Sequence, residues 1–453
     1  MPMPASPRKT SGRFSLLMKF SLLSVLAASS AILGASVRLS EVPAGTPGQV
    51  HSSYLSETSV AVVWTARPET PCSSPVVNVG NDGLVVSAVT ETYASTNDTM
   101  YNAVLEDLVP GKPYSYTVGC ADEGSTFSDT FSFAAPPSKD DDSGFSFLTF
   151  GDMGVTAAAQ VATANMAKDL EGREFVFHNG DISYARGEDD VWDQWFDQVQ
   201  PLQANSAYMV SAGNHDLLPT DSAGEDGIPY TVRFKMPQQY MPDDPEDAIL
   251  YYSWVHRYIT VVVISTDTDY FEDTPQYKWL AETLKSVTTP WTIVAGHKNL
   301  YCSSTYGNNE RSPDGTRGDA GSLTNSLEPL FEKYGVDVYL GGHIHAYERT
   351  YPVNTNGTFV DLASVSVNEE DGVDVYSNPT ATTHLVLGTG GAGHLGEDWP
   401  DQEWSAKHFE EYGYARIMFT NSSAMKMEFV ANGNEDDIGD GPIVRDALWI
   451  VKD

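Results

Sequence analysis

Three cysteines in 453 residues are too few for a disulfide scaffold or a cysteine-rich metal site. Cations are scarce too: 26 Lys and Arg stand against 62 Asp and Glu, a net charge of −36 at pH 7. A basic nucleic-acid footprint is therefore absent, and broad attraction to an anionic membrane is disfavoured. Beyond residue 37 no apolar run approaches membrane length, so a soluble mature chain is expected. No periodic glycine or heptad pattern marks a fibrous protein. Hydrophobic residues make up 41% and aromatics 11%, enough for a sizeable core, and the length suits two or three domains. An anionic partner would need a local positive centre to hold it against this field.

Arg8, Lys9, Arg13 and Lys19 precede an apolar run from Phe20 to Val37, with the small residues Gly34 and Ser36 near its end. This order predicts a secretory signal peptide over 1–36. Five serines (Ser21, Ser24, Ser29, Ser30 and Ser36) interrupt the run and argue against a permanent anchor. Its removal takes away four cations and no acid, moving the net charge from −36 to −40. Sequons at Asn97, Asn356 and Asn421 fit a secretory route and are candidate glycosylation sites, while Asn378-Pro-Thr is barred by its proline.

Residues 40–135 read as short strands with turn punctuation, clearest at Val60–Trp64, Tyr114–Val118 and Phe127–Phe133. That pattern predicts a small antiparallel β-sandwich, resembling fibronectin type III modules, with no cluster of chemical groups. Cys72 and Cys120 both lie here and are able to pair, which leaves Cys302 as a small buried side chain.

Residues 136–144 form a proline-then-charge linker, and beyond them the pattern changes. Apolar strands at Phe145–Phe150, Phe175–His178, Tyr208–Ser211, Ile259–Ser265, Ile293–Ala295 and Val336–Leu340 alternate with helical stretches at Thr156–Leu170 and Gln276–Val287. This is an α/β sandwich of buried strands, expected over 145–453.

Five of those strands stop in a short polar block: Gly151-Asp-Met-Gly154, Gly180-Asp-Ile-Ser-Tyr184, Gly213-Asn-His-Asp216, Gly296-His297 and Gly342-His-Ile-His345. Ligands of an open α/β sheet bind at the carboxyl ends of its strands. Each glycine is expected to let the chain turn sharply, aiming the next side chain into the crevice. Taken singly, Gly-Asp is ordinarily a turn, Tyr184 a core aromatic and Asn214 a turn residue. Together, Asp152, Asp181, Tyr184, Asn214, His297, His343 and His345, with His215 beside them, offer donors suited to two metal ions sharing a carboxylate. His343 and His345 would point the same way from an extended segment. His51, His178, His256, His384, His394 and His408 lack such company and read as core or surface.

In this order the blocks resemble the metallophosphoesterases, and Tyr184, three residues after Asp181, narrows the resemblance to the purple acid phosphatases. The likeness runs from about Pro47 to Asp453 and includes His345-Ala-Tyr-Glu-Arg349 and the Gly388–Gly393 run. It implies a four-layer α/β/β/α catalytic domain behind an N-terminal β-sandwich. It also implies that Asp152, Asp181, Tyr184 and His345 bind Fe(3+). Asp181 would bridge to a divalent ion (Zn, Fe or Mn) held by Asn214, His297 and His343, with His215 facing the phosphate. Some relatives carry further histidines shortly after the His297 position, whereas Tyr301–Asn309 has none. Two cations would turn water into hydroxide at mild pH and supply the missing positive field, with no covalent phosphoenzyme. The expected protein is a secreted acid phosphatase hydrolysing small phosphate monoesters, outside the cell or in an acidic compartment, with a homodimer also allowed. The alternatives are a phosphodiesterase or nucleotide pyrophosphatase on the same metals, and an inactive secreted binding protein.

Overall fold

The computed structural model describes residues 46–66, 72–80, 83–96, 98–122, 124, 126–217, 227–237, 250–304, 318–393, 398–434, 438 and 441–453. The expected signal peptide, Asn97 and His394 lie outside them. Among the described residues, no helix is long and apolar enough to cross a membrane.

The N-terminal strands pair antiparallel, as the run of short strands predicts. Gly48–Ser56, Ser59–Ala66 and Thr99–Leu105 run antiparallel, and Pro75–Val79, Pro113–Cys120 and Phe131–Ala134 form part of a separate four-stranded sheet. Tyr114, Tyr116 and Val118 point inward at every second position. The expected strand from Phe127 is shorter than the sequence suggests: Phe127 meets Gly119 only as an isolated bridge, and the ladder begins at Phe131. Cys72 and Cys120 form a disulfide. Cys302 stands outside that disulfide and is 2% exposed, beside Ile344, Ala346 and Val386.

Two large sheets carry the rest. The first has twelve strands, with Phe145–Phe150, Phe175–Asn179 and Ala207–Ser211 parallel at its centre. Gly48–Ser56 joins it in parallel where Ser52 meets Ala207, so the sheet continues into the N-terminal strands. The second has seven strands, with Ile259–Val263, Trp291–Ala295, Val338–Gly341 and Thr383–Leu387 parallel in sequence. Both central sets are buried on both faces, which is why they read as continuous apolar runs.

The sheets face each other across an aromatic seam. Phe175 meets Trp254 edge-on at 5.9 Å, Trp291 meets Phe419 at 5.4 Å, and Tyr347 stacks on Phe429 at 4.2 Å. Helices Ala157–Asp169 and Asp189–Gln203 cover the outer face of the first sheet. Helices Pro275–Ser286 and Gly318–Tyr334 cover the second, where Leu280, Leu284, Leu323 and Leu327 pack against Val262 and Val294. The result is a four-layer α/β/β/α sandwich with a β-rich N-terminal part. The parallel strands of both sheets end at the same place, and the five polar blocks follow those ends.

Candidate metal centre

Asp152 and Asp181 leave their strands with positive φ, 59° and 50°, and Tyr184 and His343 do the same at 55° and 68°. Four non-glycine residues in the left-handed region cost of order 1–3 kcal/mol each, and such strain collects where side-chain aim matters. The sharp turns expected at the glycines are thus taken largely by the functional residues themselves. Two of the glycines serve another purpose. A Cβ on Gly213 would lie 2.2 Å from Asp181 Oδ1, and one on Gly342 would lie 2.7 Å from Asp152 Oδ2. Both positions must be bare for the carboxylates to sit where they do.

Each carboxylate divides its oxygens between backbone and pocket. Asp152 Oδ2 accepts the His343 N–H at 2.7 Å, and Asp181 Oδ1 accepts the His215 N–H at 2.8 Å. The other oxygens face a common space. Tyr184 Oη lies 3.1 Å from Asp152 Oδ1, 3.2 Å from Asp181 Oδ2 and 2.9 Å from His345 Nε2. His345 Nε2 also lies 3.3 Å from Asp152 Oδ1. On the far side of Asp181, its Oδ2 is 3.3 Å from His297 Nε2, which is 3.2 Å from Asn214 Oδ1. Donor atoms of Asp181, His297 and His343 all fall within 4.8 Å of one another.

All seven sequence-derived ligand candidates therefore converge, in two groups that meet at Asp181 Oδ2. His215 stands at the edge, its Nε2 4.0 Å from that oxygen, its ring 4.5 Å from Tyr184 and its side chain 21% exposed. The segment carrying His343 and His345 is bent rather than extended, with Ile344 N–H bonded back to Gly342 and Ala346 N–H to Ile344. The two imidazoles part accordingly, His343 towards Asp181 and His297, His345 towards Asp152 and Tyr184.

The imidazole orientations are set from behind. His297 Nδ1 donates to the Asn179 carbonyl at 3.0 Å and His345 Nδ1 to the Gly393 carbonyl at 2.7 Å, leaving each Nε2 for the pocket. The Gly388–Gly393 run closes over the site by binding Gly151 and Asp152 through the N–H groups of Gly390 and Ala392. His51, His178, His256 and His384 are buried and His408 is exposed, stacked on Trp399 at 4.7 Å.

Three supporting residues were not singled out in the sequence. Asp216 is buried and accepts the N–H groups of Ile182 and Gly213 at 3.0 and 2.9 Å, tying two site loops together. Asn299 donates to the Gly342 carbonyl, and Glu348 accepts the Ser303 N–H at 2.8 Å. Asp216 and Asn299 each lie two residues beyond a ligand candidate, and that spacing was the available signal.

Electrostatically the pocket calls for positive charge. Burial alone would lower His297, yet the Asp181 and Asp152 carboxylates outweigh it and hold the imidazole up at about 10. Burial and the same two carboxylates push the Tyr184 phenol well above its ordinary value. Protons thus occupy places that donors of this kind offer to cations, so the residues present fit two metal ions. Adding a divalent cation to chelator-stripped protein at pH 7 should release the proton of His297, and a ferric ion that of Tyr184 as well. Binding should weaken as pH falls, because protons compete for the same atoms. Titration in weak buffer with an indicator dye checks this, and cation binding without proton release would contradict it.

Three family descriptions cover most of the chain: the purple acid phosphatase N-terminal domain at residues 47–135, the calcineurin-like phosphoesterases at 145–347, and the iron/zinc purple acid phosphatase-like protein C at 381–441. Among curated relatives, acid phosphatase type 7 of Mus musculus is 29% identical, the alignment covering 91% of this chain and 92% of that protein. Probable inactive purple acid phosphatase 1 of Arabidopsis thaliana is also 29% identical, with 87% of this chain matching 67% of that longer one. The solved structure of a purple acid phosphatase from yellow lupin (Lupinus luteus) seeds superposes with a TM-score of 0.77. It covers 90% of this chain and 75% of that one at 24% identity, a likeness of fold.

Proposed function

Because the chain belongs to the purple acid phosphatase family of calcineurin-like phosphoesterases, we propose that it hydrolyses small phosphate monoesters at a two-metal centre as an acid phosphatase. The observation that carries this reading is Asp181 Oδ2, which faces Tyr184 on one side and His297 on the other. In this proposal Asp152, Asp181, Tyr184 and His345 hold Fe(3+), and Asp181, Asn214, His297 and His343 hold a divalent ion (Zn, Fe or Mn). Bound there, the ions supply a water-derived nucleophile at mild pH and neutralise the phosphoryl oxygens. Every proposed ligand comes from one chain, so the site needs no second copy. Residues 1–36 are proposed to be a signal peptide, 40–135 the β-rich module and 145–453 the catalytic domain, joined by 136–144. In this proposal the protein acts outside the cell or in an acidic compartment of the secretory route. Asn356 and Asn421 are exposed, as glycan acceptors must be.

The chain's own residues do the rest. The Asn179 and Gly393 carbonyls hold the His297 and His345 rings in place, and the Gly388–Gly393 run covers the site from one side. His215 is partly open to solvent beside the pocket, where it can give a proton to a departing alkoxide. Removing it should leave both metals bound and lower turnover of an aryl phosphate by roughly 10²–10⁴. Metal analysis with wild type and His215→Ala on an aryl phosphate and a bis-aryl phosphate tests the whole reading. A two-metal wild type faster on the monoester supports it, and preference for the bis-ester would assign a phosphodiesterase. Full metal content without turnover of either would assign a binding protein, as the name of the Arabidopsis relative suggests for that protein.

A further inference from the structure

We propose that Arg233 is a positioning residue through which the N-terminal β-rich module holds the His215 segment in place. The inference rests on the role proposed for His215. Several side chains of the module reach one short segment of the catalytic part.

Arg233 is 1% exposed, and its guanidinium is shared between two parts of the chain. From the N-terminal side, Tyr93 Oη accepts from Arg233 Nε at 2.8 Å and Gln49 Oε1 from Nη1 at 3.0 Å. From the catalytic side, Asp193 Oδ1 lies 2.9 Å from Nη2 and Asp189 Oδ1 lies 3.4 Å away. Gln49 also donates to Asp193 at 3.0 Å, and Tyr93 to Asp189. The backbone around Arg233 is gripped as well. His51 Nε2 lies 2.8 Å from the Arg233 carbonyl, Ser53 bonds the Lys235 carbonyl, and Lys235 pairs with Glu91 at 2.8 Å. A buried guanidinium with this many planar partners is fixed in one orientation.

The clamp reaches the site through a short path. Arg233 ends the helix Ile228–Arg233, which packs against the turn Asn214–Leu217. Gly227, at the start of that helix, sits so close to Leu217 that a Cβ there would lie 2.8 Å from Leu217 Cδ2. Leu217 is two residues beyond His215. Asp216 and Asp181 fix the near end of this turn by its backbone, whereas His215 Nδ1 has no hydrogen-bond partner among the described residues. The ring is held by Tyr184 and by the shape of the turn, and the clamp fixes the far side of that turn.

The test is a double-mutant cycle of Arg233→Lys with His215→Ala, read as kcat on an aryl phosphate with metal content measured alongside. Tyr93→Phe is taken through the same cycle, because it removes one hydroxyl from the clamp and keeps the ring, should Arg233→Lys fail to fold. Alone, either clamp variant should keep both metals and lose roughly five- to thirtyfold in kcat, with KM little changed. In the His215→Ala background the same substitution should cost less than twofold. An equal loss in both backgrounds, loss of metal, or no loss for Tyr93→Phe alone would overturn the proposal. If His215→Ala by itself costs nothing, it is the role of His215 that fails.

Discussion

Asp181→Ala is expected to abolish phosphatase turnover and to leave the protein with fewer than two metal ions. One Asp181 oxygen faces both donor groups: Oδ2 lies 3.2 Å from Tyr184 Oη and 3.3 Å from His297 Nε2. Its partner oxygen also holds the His215 N–H, so the substitution frees the neighbouring turn as well. The rise in net charge should weaken both proposed sites, since Asp152 alone cannot offset two cations. Asp181→Asn separates charge from shape. The amide keeps the volume beside Gly213, so the protein should fold, yet it lacks the anionic bridge and should still lose an ion. Metal content by elemental analysis and turnover on an aryl phosphate decide the matter. Two ions per chain with retained activity in either variant would rule out a shared carboxylate. The His297 imidazole gives an independent readout. Held up at about 10 by Asp181 and Asp152 in the cation-free pocket, it should titrate at lower pH once Asp181 is gone.

Much of the catalytic architecture was legible because it is written in local pattern. The apolar run Phe145–Phe150 is a strand with those same ends, and the Ala-rich stretch is the helix Ala157–Asp169, capped by the Thr156 hydroxyl on the Ala159 N–H at 3.1 Å. The polar blocks were visible for the same reason: a parallel strand buried on both faces ends abruptly, and its first polar residues stand out. What stayed hidden depends on contacts between distant segments. Ser52 pairs with Ala207 across more than 150 residues, and no periodicity in either strand announces that partner. Arg233 carries no local signal of its role, since its partners Gln49 and Tyr93 lie in another part of the chain. The His343–His345 segment reads as extended yet is bent, because residue type alone does not fix the sign of φ: Asp, Tyr and His all take positive φ here.

Tyr184→Phe is expected to remove the visible colour of the protein while sparing its fold. In the cation-free pocket burial and the two carboxylates keep the Tyr184 proton in place, so only a strongly acidic cation can displace it. The phenol oxygen already sits among Asp152 Oδ1, Asp181 Oδ2 and His345 Nε2 at 2.9–3.2 Å, a hard donor set that suits ferric iron better than a soft metal. Phenolate on ferric iron absorbs visible light by charge transfer, and the purified protein should therefore be pink to purple. A two-zinc protein would be colourless, because zinc has a filled d shell. The phenyl ring of the variant still packs on His215 at the 4.5 Å spacing of the tyrosine, so thermal stability should change little. With the phenolate gone, the band should vanish even if iron remains, and turnover should drop as the site loses a hard anionic donor. A visible spectrum and iron content for both proteins, purified without chelators, make the comparison. A colourless, iron-free wild type with full activity would leave a two-metal phosphoesterase without iron, and an unchanged band in Tyr184→Phe would mean that the phenol oxygen never touches the metal.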